Sequence, residues 1–208
     1  MAAFAQLTKH GIIVIIRGLH PDDAPDVAEA LYAGGIRLLE ITMNSEAPLT
    51  AIRAVADVMA GRMVIGAGTV LNARMVEEAV TAGAEFVLSP IVCEEVIQTA
   101  RQLGVVAVPG AYTPTEVYRA HQAGADIVKI FPATSPGYIR DIAGPLPQVP
   151  LLPTGGINLQ NICDYKAAGA VGFGIGSALV DTKKAITPQY LAEITAKARQ
   201  FVEAIAVP

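Results

Sequence analysis

Short β-branched and apolar runs alternate along the chain with longer segments in which apolar residues recur every three or four positions. The runs are IIVII (12–16), RLLEI (37–41), MVIG (63–66), EFVL (85–88), VVAV (105–108), DIVKI (126–130), PLLP (150–153) and VGFGI (171–175), which predict eight strands. Between them, DDAPDVAEALYAGG, APLTAIRAVADVMAG, ARMVEEAVTAGA, CEEVIQTARQLG, PTEVYRAHQAGA and NLQNICDYKAAGA read as helices, and a last helix is expected from Pro188 to Ala204. Most of these segments end in a glycine just before the next strand: AGG (33–35), AGA (82–84), LG (103–104), AGA (123–125) and AGA (168–170). This weak repeat predicts a left-handed cap that turns each helix into a strand. Strict alternation with continuously apolar strands implies a parallel sheet covered by helices. Eight such units point to a single-domain (β/α)8 TIM barrel spanning 1–208 with a short N-terminal helix. No GxGxxG opens the first strand-to-helix turn, which argues against an open dinucleotide-binding sheet.

Composition narrows the function classes. The 208 residues are 52% hydrophobic and only 16% charged, with a net charge of −4 and no cluster of Lys and Arg, so no nucleic-acid partner is expected. The N-terminal segment is too short and mixed for a signal peptide, and no long apolar span follows, so a cytoplasmic protein without membrane contact is expected. Cys93 and Cys163 have neither CxxC nor metal-ligand spacing and read as packing thiols. His10, His20 and His121 fall in unrelated segments, so neither a metal nor a cofactor is expected.

Lys129 is the residue most at odds with its surroundings, because it lies inside the apolar run ADIVKIFPA (125–133). Alternation puts Ile127, Lys129 and Phe131 on one strand face, pointing inward near the strand's carboxyl end. Burial disfavours the ammonium form and frees the amine to attack a ketone and form a Schiff base. The alternative is a lysine that snorkels its head to the surface. Glu40 has the same inward parity, and Arg17 stands at the end of the first strand. A buried carboxylate must be paired or take part in proton transfer. The three charges therefore form either a catalytic group or an internal salt-bridge network. Two glycine runs, LLPTGGIN (151–158) and GFGIGSAL (172–179), leave the seventh and eighth strands toward expected helix starts. Gly155, Gly156, Gly176 and the Ser177 hydroxyl could bind a phosphate there, or the glycines could simply permit tight turns. In VIGAGTVL (64–71), Gly66 and Gly68 would let a ligand approach the backbone beside Thr69.

IIRG (15–18), EITMNS (40–45), GAGTVLN (66–72), LSP (88–90), VPGAYTPTE (108–116), KIFPA (129–133), GPLPQVPLLPTGGI (144–157) and GIGSALV (174–180) together resemble the KDPG/KHG aldolase family over nearly the whole chain. The resemblance implies a class I aldolase, assembled as a homotrimer, that cleaves a phosphorylated keto acid to pyruvate and glyceraldehyde 3-phosphate. Lys129 matches the family's Schiff-base lysine and Glu40 its proton-transfer glutamate. Thr69, Pro90 and Phe131 would line the pyruvate pocket, Thr154 and Arg17 would contact substrate, and Gly155, Gly156, Gly176 and Ser177 would hold phosphate. Arg17 would anchor the substrate carboxylate or orient Glu40. Two departures bear on the substrate: Asn44 stands where many members carry an arginine, and FPATSPGY is shorter than the usual glycine-rich loop. EITMNS resembles the branch acting on the 6-phosphogalactonate epimer, and Thr154 in PTGGI the 6-phosphogluconate branch. The expected substrate is 2-dehydro-3-deoxy-6-phosphogluconate, with the galactonate epimer and 4-hydroxy-2-oxoglutarate as alternatives within the family. More distant readings are a phosphate-binding epimerase or thiamine-phosphate synthase barrel, neither of which needs an amine at Lys129, and a noncatalytic sugar-phosphate sensor.

Overall fold

The computed structural model describes residues 2–206. In chain order the strands are β1 (Ile12–Ile16), β2 (Leu38–Thr42), β3 (Val64–Gly68), β4 (Phe86–Leu88), β5 (Val106–Val108), β6 (Gly110–Ala111), β7 (Val128–Ile130), β8 (Leu151–Pro153) and β9 (Phe173–Ile175). The helices are α1 (Ala2–His10), α2 (Ala24–Ala33), α3 (Pro48–Val58), α4 (Ala73–Thr81), α5 (Glu94–Gln102), α6 (Pro114–Gln122), α7 (Pro136–Ala143), α8 (Ile162–Ala167) and α9 (Pro188–Ala206). All strand pairs are parallel, in a six-stranded sheet ordered β5-β4-β3-β2-β1-β9 and a three-stranded sheet ordered β6-β7-β8. Beyond β8, Thr154 bridges Gly174 of β9. On the other side the chain crosses from β5 to β6 through Pro109, whose carbonyl accepts the Lys129 N–H at 2.9 Å.

Each of the eight expected runs contains a strand, but the run at 105–108 continues into β6 after a break at Pro109. A proline has no N–H to give to a ladder, so pairing stops there and resumes with a new neighbour. The run at 126–130 begins two residues late because Asp126 uses its carboxylate to accept the Ala107 N–H at 2.9 Å.

The recurring glycines do what the repeat predicts. Gly35, Gly83, Gly104, Gly124 and Gly169 all have positive φ, from +73° to +108°. In each case the following residue donates its N–H back to the carbonyl five residues earlier, as Ala84 does to Ala79 at 2.9 Å and Val105 to Ala100 at 3.0 Å. Only a residue without a Cβ adopts this geometry at no steric cost. Helix α7 is absent from the expected pattern: its eight residues include Pro136 and Gly137, and only Ile139 and Ile142 are buried apolar positions. Ser135 nevertheless caps it by accepting the Tyr138 N–H at 3.1 Å, and a proline is tolerated in the first turn.

Strand alternation separates two apolar layers. Ile13, Leu38, Phe86, Leu88, Val106, Ile127 and Leu152 face an inner cluster, which Ala3 and Leu7 of α1 join. Val14, Leu39, Ile41, Val87, Val128 and Ile130 face the helices. Polar residues on the inner face near the carboxyl ends of the strands are the exceptions to this inner apolar filling, and they form the site.

Candidate active site

Glu40, at the centre of β2, is 1% exposed, and Lys129, at the centre of β7, is 6% exposed. The Lys129 ammonium nitrogen stands 4.9 Å from the centroid of the Phe131 ring, close enough for a cation–π contact. Lys129 therefore does not snorkel: its head stays within the fold, against an aromatic ring. Burial lowers the Lys129 amine pKa below the ordinary lysine value, with the positive Arg17 adding to the effect and Glu40 opposing it. Burial raises the Glu40 carboxyl pKa, and the charges of Lys129 and Arg17 partly offset this. Burial thus disfavours the charged form of both groups, while each one's charge favours the charged form of the other.

The internal salt-bridge network is not formed. Among the described residues neither Lys129 nor Arg17 makes an ion pair with Glu40, and Glu40 Oε2 is buried without a hydrogen-bond partner. Arg17 instead donates from Nη1 to Asn44 Oδ1 at 2.9 Å. Its neighbour Gly18 donates its N–H to Ser45 Oγ at 2.8 Å, and that hydroxyl lies 2.9 Å from the hydroxyl of the buried Thr42. The EITMNS segment therefore fixes the end of β1 through side chains. Leaving a buried carboxylate oxygen without a partner costs stability.

Glycine on β3 makes room for that carboxylate. A Cβ on Gly68 would lie 1.5 Å from Glu40 Oε1, and one on Gly66 would lie 2.3 Å from the Phe86 ring. The space beside these glycines is thus filled by protein, which corrects the expectation of a ligand approaching the backbone there. Gly68→Ala is expected to push the Glu40 side chain out of place and lower kcat by about 10- to 100-fold, with about 1–3 kcal/mol lost in stability. Steady-state kinetics and denaturant unfolding check this.

A cavity of about 590 Å³ is lined by Lys129 but not by Glu40, Gly66 or Gly68. It brings together Arg17, Lys129, Phe131, Thr154, Gly155, Gly156, Gly176 and Ser177. The Thr154 hydroxyl is buried and has no partner; a Cβ on Gly174 would lie 2.3 Å from it. Pro90 is placed elsewhere, in a neighbouring cavity of about 440 Å³ with Ile91, Tyr112 and Arg119, which Phe131 also borders. Thr69 lines neither cavity; it follows Gly68 at the end of β3 with φ +58°, a strained value for a β-branched residue.

The glycine runs do not open helices, contrary to expectation. After β8 the next helix begins at Ile162 and after β9 at Pro188. Asn158 and Asn161 form a turn of their own, donating from their side-chain amides to the Gly156 carbonyl at 3.2 and 2.9 Å. Gly176 starts one hydrogen-bonded turn that ends at Val180. The N–H groups of Gly156 and Ser177 have no backbone acceptor among the described residues and no helix behind them, whereas Gly155 follows directly on the Thr154–Gly174 bridge, which engages its N–H. Thr182 was not legible in the sequence as part of this site: it lines the cavity and its hydroxyl donates to the Arg17 carbonyl at 2.7 Å.

The family model for KDPG and KHG aldolase matches residues 4–197. The chain is 39% identical over 171 residues to a probable 2-dehydro-3-deoxy-6-phosphogalactonate aldolase of Rhizobium meliloti, covering 81% of each chain. It is 37% identical over 200 residues to the KHG/KDPG aldolase of Escherichia coli, covering 95% of this chain and 93% of that one. The crystal structure of KDPG aldolase from Legionella pneumophila, with pyruvate captured at low pH as a covalent carbinolamine intermediate, superposes with a TM-score of 0.82 at 29% identity, over 94% of this chain and 96% of that one. The parallel α/β fold and these matches define the protein as an aldolase, a carbon–carbon lyase. More narrowly, the chain belongs to the KDPG and KHG aldolase family.

Proposed function

We propose that this protein is a class I aldolase that cleaves 2-dehydro-3-deoxy-6-phosphogluconate to pyruvate and glyceraldehyde 3-phosphate. The observation that carries the reading is the amine of Lys129, buried, in no ion pair among the described residues and on the wall of the large cavity. Its nitrogen adds to the C2 ketone to give a carbinolamine, and loss of water gives a protonated imine. Glu40, directly or through a water, accepts the proton of the C4 hydroxyl as the C3–C4 bond breaks. The aldehyde leaves, the C3–C4 electron pair is held as an enamine, and protonation at C3 followed by hydrolysis releases pyruvate and the free amine. Arg17, steadied by Asn44, anchors the substrate carboxylate. The two sheets act as one closed (β/α)8 barrel, a reading supported by the Thr154–Gly174 bridge and the Pro109 carbonyl bond at the two junctions.

Thr154 in PTGGI, which resembles the gluconate branch of the family and lines the cavity, supports the gluconate epimer. A second reading, the galactonate epimer, is favoured by the Asn44–Arg17 contact and by the name of the Rhizobium meliloti relative. Assays of both epimers, with release of pyruvate as the signal, choose between them by kcat/KM. The test of the mechanism itself is incubation with pyruvate and borohydride followed by peptide mass spectrometry. A reduced pyruvyl adduct on Lys129 is expected, and its absence from folded protein removes Lys129 as the nucleophile. Assembly as a homotrimer belongs to the same reading, and sedimentation equilibrium checks it through the mass of the species in solution.

A further inference from the structure

Beyond Val180 the chain makes a turn, Asp181–Lys184, that closes one side of the large cavity. Its backbone is fixed at three points. The Asp181 N–H donates to the Tyr190 hydroxyl at 2.6 Å, and that hydroxyl donates to the Asp181 carbonyl at 3.1 Å. Thr182 is tied to the Arg17 carbonyl, and the Lys183 N–H donates to Asp181 Oδ1 at 3.1 Å. The two adjacent lysines are used differently. Lys184 turns back onto α9, 3.8 Å from Glu193 and 4.9 Å from the Tyr190 ring centroid. Lys183 lines the cavity and makes no ion pair among the described residues.

We propose that Lys183 is a specificity-determining residue that supplies the cation for a terminal phosphate, so that this site selects phosphorylated keto acids over unphosphorylated ones. The inference rests on the aldolase reading of the cavity. The glycine runs and Ser177 offer only neutral donors, and a phosphate dianion held by neutral donors alone keeps much of its desolvation cost. Arg17 is held by Asn44 at the end of β1, and Lys129 is taken up by the keto group. Lys183 is the remaining cation on the cavity wall. Asp181 is the one carboxylate on that wall among the described residues, and it accepts from the Lys183 backbone rather than standing free.

The test compares wild type with Lys183→Met and Lys183→Arg, checked for folding by circular dichroism. Inorganic phosphate is titrated and binding followed by phosphorus NMR, and kcat/KM is measured for phosphorylated and unphosphorylated keto-acid substrates. Lys183→Met is expected to weaken phosphate binding by about tenfold or more and to lower the phosphorylated-to-unphosphorylated kcat/KM ratio by a similar factor, through KM. Lys183→Arg is expected to stay within about threefold of wild type, since either cation supplies the charge. The inference is overturned if wild type does not bind phosphate, if Lys183→Met binds it as wild type does, or if both substrates lose equally, which would move Lys183 to the carboxylate end. Pyruvate trapping involves no phosphate, so its failure in wild type would sink the Lys129 reading while the phosphate titration still decided the role of Lys183.

Discussion

Replacing Lys129 with alanine is expected to lower turnover by at least about a thousandfold and to remove the borohydride-trapped pyruvyl adduct while the protein stays folded. The size of the effect follows from the place of the amine in the reaction: every later step, from imine to enamine to hydrolysis, proceeds on the bond it forms. A lysine at the surface could be replaced by a neighbour, but Lys129 is buried, with its nitrogen 4.9 Å from the centroid of the Phe131 ring. Its lowered pKa, caused first by burial and then by Arg17, gives the trapping rate a sign. The free amine is the reactive form, so trapping rises with pH through the lowered pKa. Removing Arg17 takes away a charge that depresses the amine, so Arg17→Met is expected to move that rise to higher pH. The other lysine on the cavity wall, Lys183, supplies the contrary outcome. If pyruvate were trapped on Lys183 in the Lys129→Ala protein, or if turnover survived, the assignment of the nucleophile would fail.

The chemistry at the ends of the strands was more legible in the sequence than the space around it. Parity along DIVKI and RLLEI was enough to put Lys129 and Glu40 on an inner face, because side chains alternate strictly in a strand and two charges among Ile, Leu and Val stand out. The five glycine caps were legible for a similar reason: the left-handed cap is a local requirement. Contacts between distant segments were not. Nothing in VIGAG says that Gly68 is the seat of the Glu40 carboxylate, since that depends on β2 and β3 lying in register with Thr42 opposite Gly68. The Asn44–Arg17 and Thr182–Arg17 bonds join residues 27 and 165 positions apart, and polar loop residues carry no periodicity. Exposed N–H groups of a glycine run beside a helical pattern suggest a helix start, but side chains decide otherwise here. Asn158 and Asn161 bonded to the Gly156 carbonyl instead, and made a turn. Helix α7 was hidden by its own proline and glycine, although Ser135 two residues before Gly137 was a capping signal.

Substituting Glu40 by glutamine separates stability from catalysis. Glu40 is buried with an oxygen that has no partner, and its folded-state pKa is raised above the reference value of 4.5. A group of this kind contributes no penalty below its unfolded pKa, where it is protonated in both states. Its relative stabilisation of the fold is lost as pH rises through the folded value. Glutamine has the same shape and no charge to desolvate. The variant is therefore expected to be more stable than wild type by about 1–3 kcal/mol near neutral pH, with the gap closing as pH falls from the raised folded value toward the 4.5 reference value. Turnover moves the opposite way, dropping by about 10²- to 10⁴-fold, because glutamine cannot accept the proton of the C4 hydroxyl. Imine formation continues slowly, since Lys129 is intact. Its pH dependence carries a further mark: Glu40 opposes the lowering of the Lys129 pKa, so without it the amine is expected to deprotonate at lower pH and the rise in trapping to shift in that direction. Urea unfolding at several pH values and trapping rates across the same range measure both effects on one protein. A variant less stable than wild type at neutral pH, or a rise in trapping displaced to higher pH, would mean that Glu40 is paired in solution and serves the fold rather than the reaction.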